Sequence, residues 1–330
     1  MLSPKENYLK VLRGEIPEFL PSYFEPAAEV LPPDGMGVPV FAPDGPVYSP
    51  WGVKYVGSAD INNGAIPEPG NFLVKDILKW RDTVKNPDLS NFDFEKLYTK
   101  SLEGTDRQNK IISCAGGDYF QTIVSFMGFE TTLMAMYEEP EEIMALFEYV
   151  SEHNLLVTKN QLKYLKPDVY CIADDCAAAN APFFSPEMYR TMIKPFQMKH
   201  AELIQNSGAF IARHDCGRSE AFIEDWMDLG VRTWNPAQTV NDLKAIKKKY
   251  AGRLTLEGCW DNQGRISMPE TPDDELLEAL HEYVDTFAPG GGFVFSARIP
   301  GDVEDERVKR KTKLVETFFY DYARDYYKNH

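Results

Sequence analysis

The chain has 330 residues, 43 % apolar and 26 % charged, enough for a large folded core with the usual surface charge of a globular protein. Acids outnumber bases 51 to 35, a formal charge of −16. A surface of that sign repels phosphate backbones and argues against nucleic acid as a partner. No apolar run reaches the roughly 18 residues that would span a bilayer, so no membrane is expected as a partner. The opening Met1-Leu2-Ser3-Pro4-Lys5-Glu6 is not a basic segment leading into an apolar one. The expectation is a cytoplasmic protein whose five cysteines are free, buried or metal-binding.

In chain order, a short helix reads from Lys5 to Arg13. A strand near Phe19–Phe24 then leads into a Pro- and Gly-rich insertion, Pro17 to Gly70, with a strand-like Trp51–Val56 inside it. From about Asn109 short apolar runs alternate with stretches of helical period. The runs are Lys110–Cys114, Asp168–Ile172, Ala209–Arg213, Gly230–Trp234, Arg253–Glu257 and Gly292–Ser296. The helical stretches are Glu141–Leu165, Pro186–Asn206, Glu220–Leu229, Val240–Tyr250, Asp274–Phe287 and Val303–Tyr327. In the first of these, Ile143, Leu146, Phe147 and Val150 recur at spacings that mark one buried face. Lys247-Lys248-Lys249 lies in an amphipathic helix and reads as a solvated face.

Such alternation implies βαβ units around a parallel sheet. The expected fold is α/β, a (β/α)₈ TIM barrel with an extended N-terminal insertion, forming a single domain over residues 1–330. The six runs and the N-terminal strand leave one barrel strand unplaced. No Gly-x-Gly-x-x-Gly or Walker-type loop follows a strand, and Gly290-Gly291-Gly292 precedes one, as a tight turn would.

A barrel places its chemistry where strands end and βα-loops begin. The run ending at Arg213 continues as His214-Asp215-Cys216-Gly217. Residues two apart on an extended chain share a face, and imidazole with thiolate suits zinc at bonds of about 2.0–2.3 Å. Gly217 lets the chain turn away, and Ser219 suits an N-cap of the next helix. Cys259 is the candidate third ligand, and alternation puts it on one face with Glu257, opposite Leu254 and Leu256. Glu257, water or substrate would take the fourth place of an open zinc site. The plain alternative for Cys259 is a small buried residue.

Asp174 and Asp175 end another run and suit proton transfer, metal ligation or substrate binding, unless they serve loop solvation or helix capping. Cys176 beside them is the less persuasive candidate, and Cys114 and Cys171 read as core residues. Tyr119, Phe120, Phe183, Phe184, Trp234 and Trp260 gather at strand ends, where they could stack on a flat substrate, fill the barrel mouth or contact a homodimer partner. Arg298, after the last run, would pair with an anionic substrate group or with a structural acid.

Asp174-Asp175, then Phe184-Ser-Pro-Glu-Met-Tyr189, then His214-Asp-Cys216-Gly217 resemble the uroporphyrinogen decarboxylase superfamily, as do Leu12–Pro17 and Trp51-Gly-Val53. That resemblance implies a (β/α)₈ barrel. The decarboxylases carry an arginine-rich N-terminal segment, where this chain has Pro21-Ser-Tyr-Phe-Glu-Pro26. The His-x-Cys pair resembles the corrinoid-dependent methyltransferase branch, which implies zinc and a partner corrinoid protein carrying cobalamin. In thiol-methylating members a later Cys lies near the last strand, and the matching segment here is Ser296-Ala297-Arg298-Ile299-Pro300. The resemblance therefore implies O-demethylation of a small aromatic methyl ether, with cob(I)alamin accepting the methyl group and Asp174, Asp175 or Glu257 assisting the departing oxygen. Methylation of a thiol, decarboxylation of a tetrapyrrole, and tetrapyrrole or corrinoid binding without turnover are the alternatives.

Overall fold

The computed structural model describes residues 2–22, 28, 29, 39, 42, 45–58 and 64–330. Among them are the strands β1 Ala28–Glu29, β2 Val47–Tyr48, β3 Lys54–Ser58, β4 Gly64–Pro67, β5 Ile112–Gly116, β6 Val169–Ala173, β7 Phe210–His214, β8 Val231–Ala237, β9 Thr255–Gly258 and β10 Phe293–Phe295. β1 and β5 to β10 form one parallel sheet in the order β1-β5-β6-β7-β8-β9-β10. Each crossover from β5 onward carries helix or helical turns, as parallel neighbours require.

The two edges of this sheet meet the same stretch of chain. β1 pairs with β5, and a few residues earlier Ser22 bridges Phe295 of β10 in parallel while Phe295 N–H donates to the Pro21 carbonyl at 2.9 Å. The sheet is thereby closed, and the fold is the expected TIM barrel. Of the strand expected near Phe19–Phe24, residues 23 and 24 lie outside the described residues.

Alternation along the strands sorts side chains into two layers. Tyr170, Ile172, Ile211, Val231 and Leu256 point outward into the main core, which also takes in Ile143, Leu146, Phe147 and Val150 of the helix Pro140–Tyr164. Cys114 belongs to this layer. Val169, Cys171, Phe210 and Ala212 share a second cluster with Tyr8, Leu9 and Leu12 of the helix Pro4–Leu12. That helix plugs the end where strands begin. Its Lys5 pairs with Asp168 at 2.8 Å, Arg232 Nε–H donates to the Leu12 carbonyl at 2.8 Å, and the Thr255 hydroxyl donates to the Val11 carbonyl at 3.3 Å.

The expected helix Pro186–Asn206 is divided. Ser185 caps Pro186–Met188, a π turn covers Tyr189–Ile193, and Lys194–Ser207 follows. Pro195 has no N–H for the preceding turn, so the wider π turn absorbs the missing bond. The helices Phe120–Met127 and Phe129–Glu138 were not marked by periodicity; both are short, and Gly128 at φ +84° separates them. In the insertion, β2, β3 and β4 make an antiparallel sheet. Trp51 packs edge-on against Phe126 at 5.4 Å and His153 at 4.9 Å, which fastens the insertion to the outer helices.

Candidate metal centre

The end of β7 carries the sequence Arg213-His214-Asp215-Cys216, and its two faces diverge. Arg213 and Asp215 are fully buried behind the sheet, joined through Arg213 Nη2 and Asp215 Oδ2 at 2.6 Å. Arg213 Nη2 also donates to the Asp174 carbonyl at 2.5 Å, and its guanidinium lies over the Trp226 ring at 5.3 Å. Asp215 Oδ1 accepts from the Cys176 amide at 3.1 Å and the Ser219 hydroxyl at 2.9 Å. Ser219 therefore holds Asp215 and makes no side-chain cap for the helical turn that follows it.

His214 and Cys216 take the other face, with Nε2 and Sγ 3.8 Å apart. Asp175 joins them: its Oδ1 lies 3.9 Å from His214 Nε2 and accepts the Cys216 amide at 2.8 Å. The three donor atoms all lie within 4.8 Å of one another. The His214 and Asp175 side chains remain about two-fifths exposed, so the cluster opens to solvent. Burial, then the Asp175 and Asp215 charges, push the Cys216 thiol up to about 12. Without a cation the sulfur carries its proton, and a bound divalent metal is what would favour thiolate.

β8 supplies the support. Asn235 lies opposite His214 in the ladder, and its Oδ1 is 2.8 Å from His214 Nδ1. Gln238 Oε1 accepts the Gly217 amide at 2.5 Å, and Asn241 Nδ2 donates to the Gly217 carbonyl at 2.9 Å. Gly217 has φ +82°, and a Cβ there would lie 2.5 Å from the Ala177 carbonyl oxygen. The chain can make this turn only with glycine. Asn235 stands directly after the apolar run ending at Trp234, where a neutral amide carries no mark of a metal site, and Gln238 and Asn241 lie beyond the end of β8 at Ala237.

Other expected residues lie elsewhere. Cys259 is not in the group. Gly258 has φ +127° and Cys259 φ +62°, which breaks the alternation that would have kept Cys259 beside Glu257. Cys259 instead joins the core behind the sheet, near Lys247 and Tyr283 of the outer helices. Glu257, nearly buried, accepts a long bond of 3.4 Å from the Tyr8 hydroxyl of the plugging helix. Asp174 is a buried cap: its carboxylate accepts the amides of Tyr119, Phe120 and Gln121 at 3.0–3.1 Å and Gln197 Nε2 at 3.1 Å. Burial nevertheless raises its carboxyl to about 7, against the opposing pull of Arg213 and these amides.

The aromatic residues divide similarly. Tyr119, Trp234 and Trp260 are buried and bonded to His200 Nε2 at 2.8 Å, the Asp215 carbonyl at 3.0 Å and Ser267 Oγ at 2.6 Å, respectively. Phe120 is buried against Phe183, Phe184 and Phe129, the last 43 % exposed, so a partly open aromatic cluster borders this end of the barrel. Arg298 lines a separate cavity of about 520 Å³ between the segment after β10 and the helix Glu306–Phe318. Ala297, in the same lining, is 1 % exposed and has no ligand atom to offer.

Among solved structures, a methyltransferase from Methanosarcina mazei is similar over 97 % of this chain and 100 % of its own, with TM-score 0.62 and 14 % identity. A sugar phosphate isomerase/epimerase from Parabacteroides distasonis aligns over 71 % of this chain and 78 % of its own, with TM-score 0.32 and 11 % identity. No curated protein matches. No helix among the described residues is long and apolar enough to cross a membrane. Residues 92–318 match uroporphyrinogen decarboxylase (URO-D), about two-thirds of the chain, in the part that builds β5 to β10. The chain belongs to the uroporphyrinogen decarboxylase family.

Proposed function

We propose that this chain is a zinc-dependent methyltransferase that moves a methyl group from a methoxylated aromatic compound to the cob(I)alamin of a partner corrinoid protein. The observation that carries the reading is the convergence of Asp175, His214 and Cys216 at a solvent-open strand end. Ligand atoms of a tetrahedral zinc lie roughly 3.3–3.6 Å apart when the bonds are about 2.0–2.3 Å. The His214–Cys216 and His214–Asp175 separations of 3.8 and 3.9 Å are close to that. Nitrogen, sulfur and oxygen donors with one direction open match a catalytic zinc site.

When bound, zinc supplies Lewis-acid polarisation of an oxygen donor. The residues of the chain do the rest. His214, Cys216 and Asp175 would hold the ion, Cys216 as its thiolate. The open aromatic edge of Phe129 and Phe183 offers a flat ring an apolar contact. In the transfer, the methyl carbon leaves the ether oxygen with the C–O electrons remaining on oxygen. The partner's cob(I)alamin would accept the methyl group, and the aryl oxide would take its proton from the solvent that reaches the open cluster. In place of a second thiolate the cluster offers the Asp175 carboxylate, a harder oxygen donor of the same charge, which supports an oxygen substrate over a thiol.

The test is methyl transfer from a methoxybenzene to cob(I)alamin on a corrinoid protein, followed by the cobalamin absorption change. Wild type should turn over, and Cys216→Ala should lose turnover with zinc. Turnover by zinc-free Cys216→Ala defeats the proposal. Decarboxylation of a tetrapyrrole without added metal would replace it.

A further inference from the structure

We infer that Asn235 is a positioning residue for His214, holding the imidazole as the Nδ1–H tautomer so that Nε2 offers its lone pair to the cluster. Nδ1 has one short contact, Asn235 Oδ1 at 2.8 Å, and a carbonyl-type oxygen there can only accept. The ring proton therefore belongs on Nδ1. Nε2 then faces Cys216 Sγ at 3.8 Å and Asp175 Oδ1 at 3.9 Å with its lone pair available.

The backbone makes this arrangement rigid. His214 and Asn235 are ladder partners in β7 and β8, and the Asn235 carbonyl accepts the Asp215 amide at 3.1 Å. These main-chain bonds do not depend on the Asn235 side chain, so it can be changed without removing them. Second-layer hydrogen bonds of this kind fix ring orientation and typically contribute about 10–100-fold to metal affinity. Only that last step rests on the zinc reading; the tautomer does not.

The experiment uses full-length protein with ¹⁵N-labelled histidine. Long-range ¹H–¹⁵N correlation of the metal-free chain reports which ring nitrogen is protonated, with His214→Gln assigning the signal. Zinc affinity is then measured by chelator competition. Wild type should have the Nδ1–H tautomer, Asn235→Ala should lose it and bind zinc about 10–100-fold more weakly, and Asn235→Asp, which keeps an acceptor, should restore both. An Nε2–H tautomer in wild type overturns the inference, as does an unchanged tautomer in Asn235→Ala. That wild-type reading stands even where Asn235→Ala fails to fold. If wild type takes up no zinc but holds Nδ1–H through Asn235, the zinc reading fails and the positioning stands. If zinc binds equally well to wild type and Asn235→Ala, the positioning of a metal-facing nitrogen is overturned alone.

Discussion

Asp174 and Asp175 are chain neighbours with opposite surroundings. Asp174 lies behind the sheet, 1 % exposed, and satisfies the start of the helix Phe120–Met127. Asp175 faces the barrel mouth, part-exposed, beside an imidazole and a thiol. Arg213 and Asp215 repeat the first environment, and His214 and Cys216 the second. One face is therefore closed and carries stability, and the other is open and carries the candidate chemistry. The alternation of an extended chain separates the two jobs within a few residues.

Substitutions on the closed face should damage the fold most. Arg213→Ala leaves Asp215 buried without its countercharge and should cost about 3–5 kcal/mol in urea unfolding. A loss below about 1 kcal/mol would dissolve the distinction between the faces. Asp174→Asn keeps the shape but replaces one accepting oxygen with an amide donor facing the helix start, and should cost about 1–3 kcal/mol by the same measurement. His214→Ala on the open face should leave stability within about 0.5 kcal/mol of wild type.

Acidification gives a smaller test. Burial pushes His200 down to about 3, whereas an unfolded chain's imidazole titrates near ~6.5. Between those values the unfolded chain binds the proton that the folded one refuses, so this contribution to stability is present above pH 6.5 and declines as pH falls. Between pH 7.5 and pH 5 the urea midpoint of His200→Gln should change less unfavourably than that of wild type, whose buried Asp174, raised to about 7, pulls in the opposite direction. An identical slope in both proteins would remove His200 from the account. Cys259→Ala, at the bottom of the scale, should leave zinc content unchanged because that thiol lies in the outer core.

Much of this was legible in the sequence, for identifiable reasons. Strand–helix alternation reports the barrel, and His214-x-Cys216 at a strand end reports a shared face. Cys259 misled because alternation was carried through Gly258, whose φ of +127° ends it. Asn235 directly follows the run ending at Trp234, but only the ladder shows that it lies opposite His214. Alternation through Tyr170 and Ile172 puts Asp174 on the outer face and Asp175 on the other, but which amides Asp174 caps depends on the non-local helix Phe120–Met127. The contact of Pro21–Ser22 with β10 falls within the N-terminal strand expected near Phe19–Phe24, whereas β1 is two residues long inside a Pro- and Gly-rich stretch and leaves no pattern to read.

The central claim is that the metal ligands are Asp175, His214 and Cys216. Zinc content after purification and chelator wash, compared among wild type, Asp175→Ala and Cys259→Ala, tests it most directly. Wild type and Cys259→Ala should each hold close to one zinc per chain, and Asp175→Ala should lose it. Zinc retained in Asp175→Ala and lost from Cys259→Ala would contradict it.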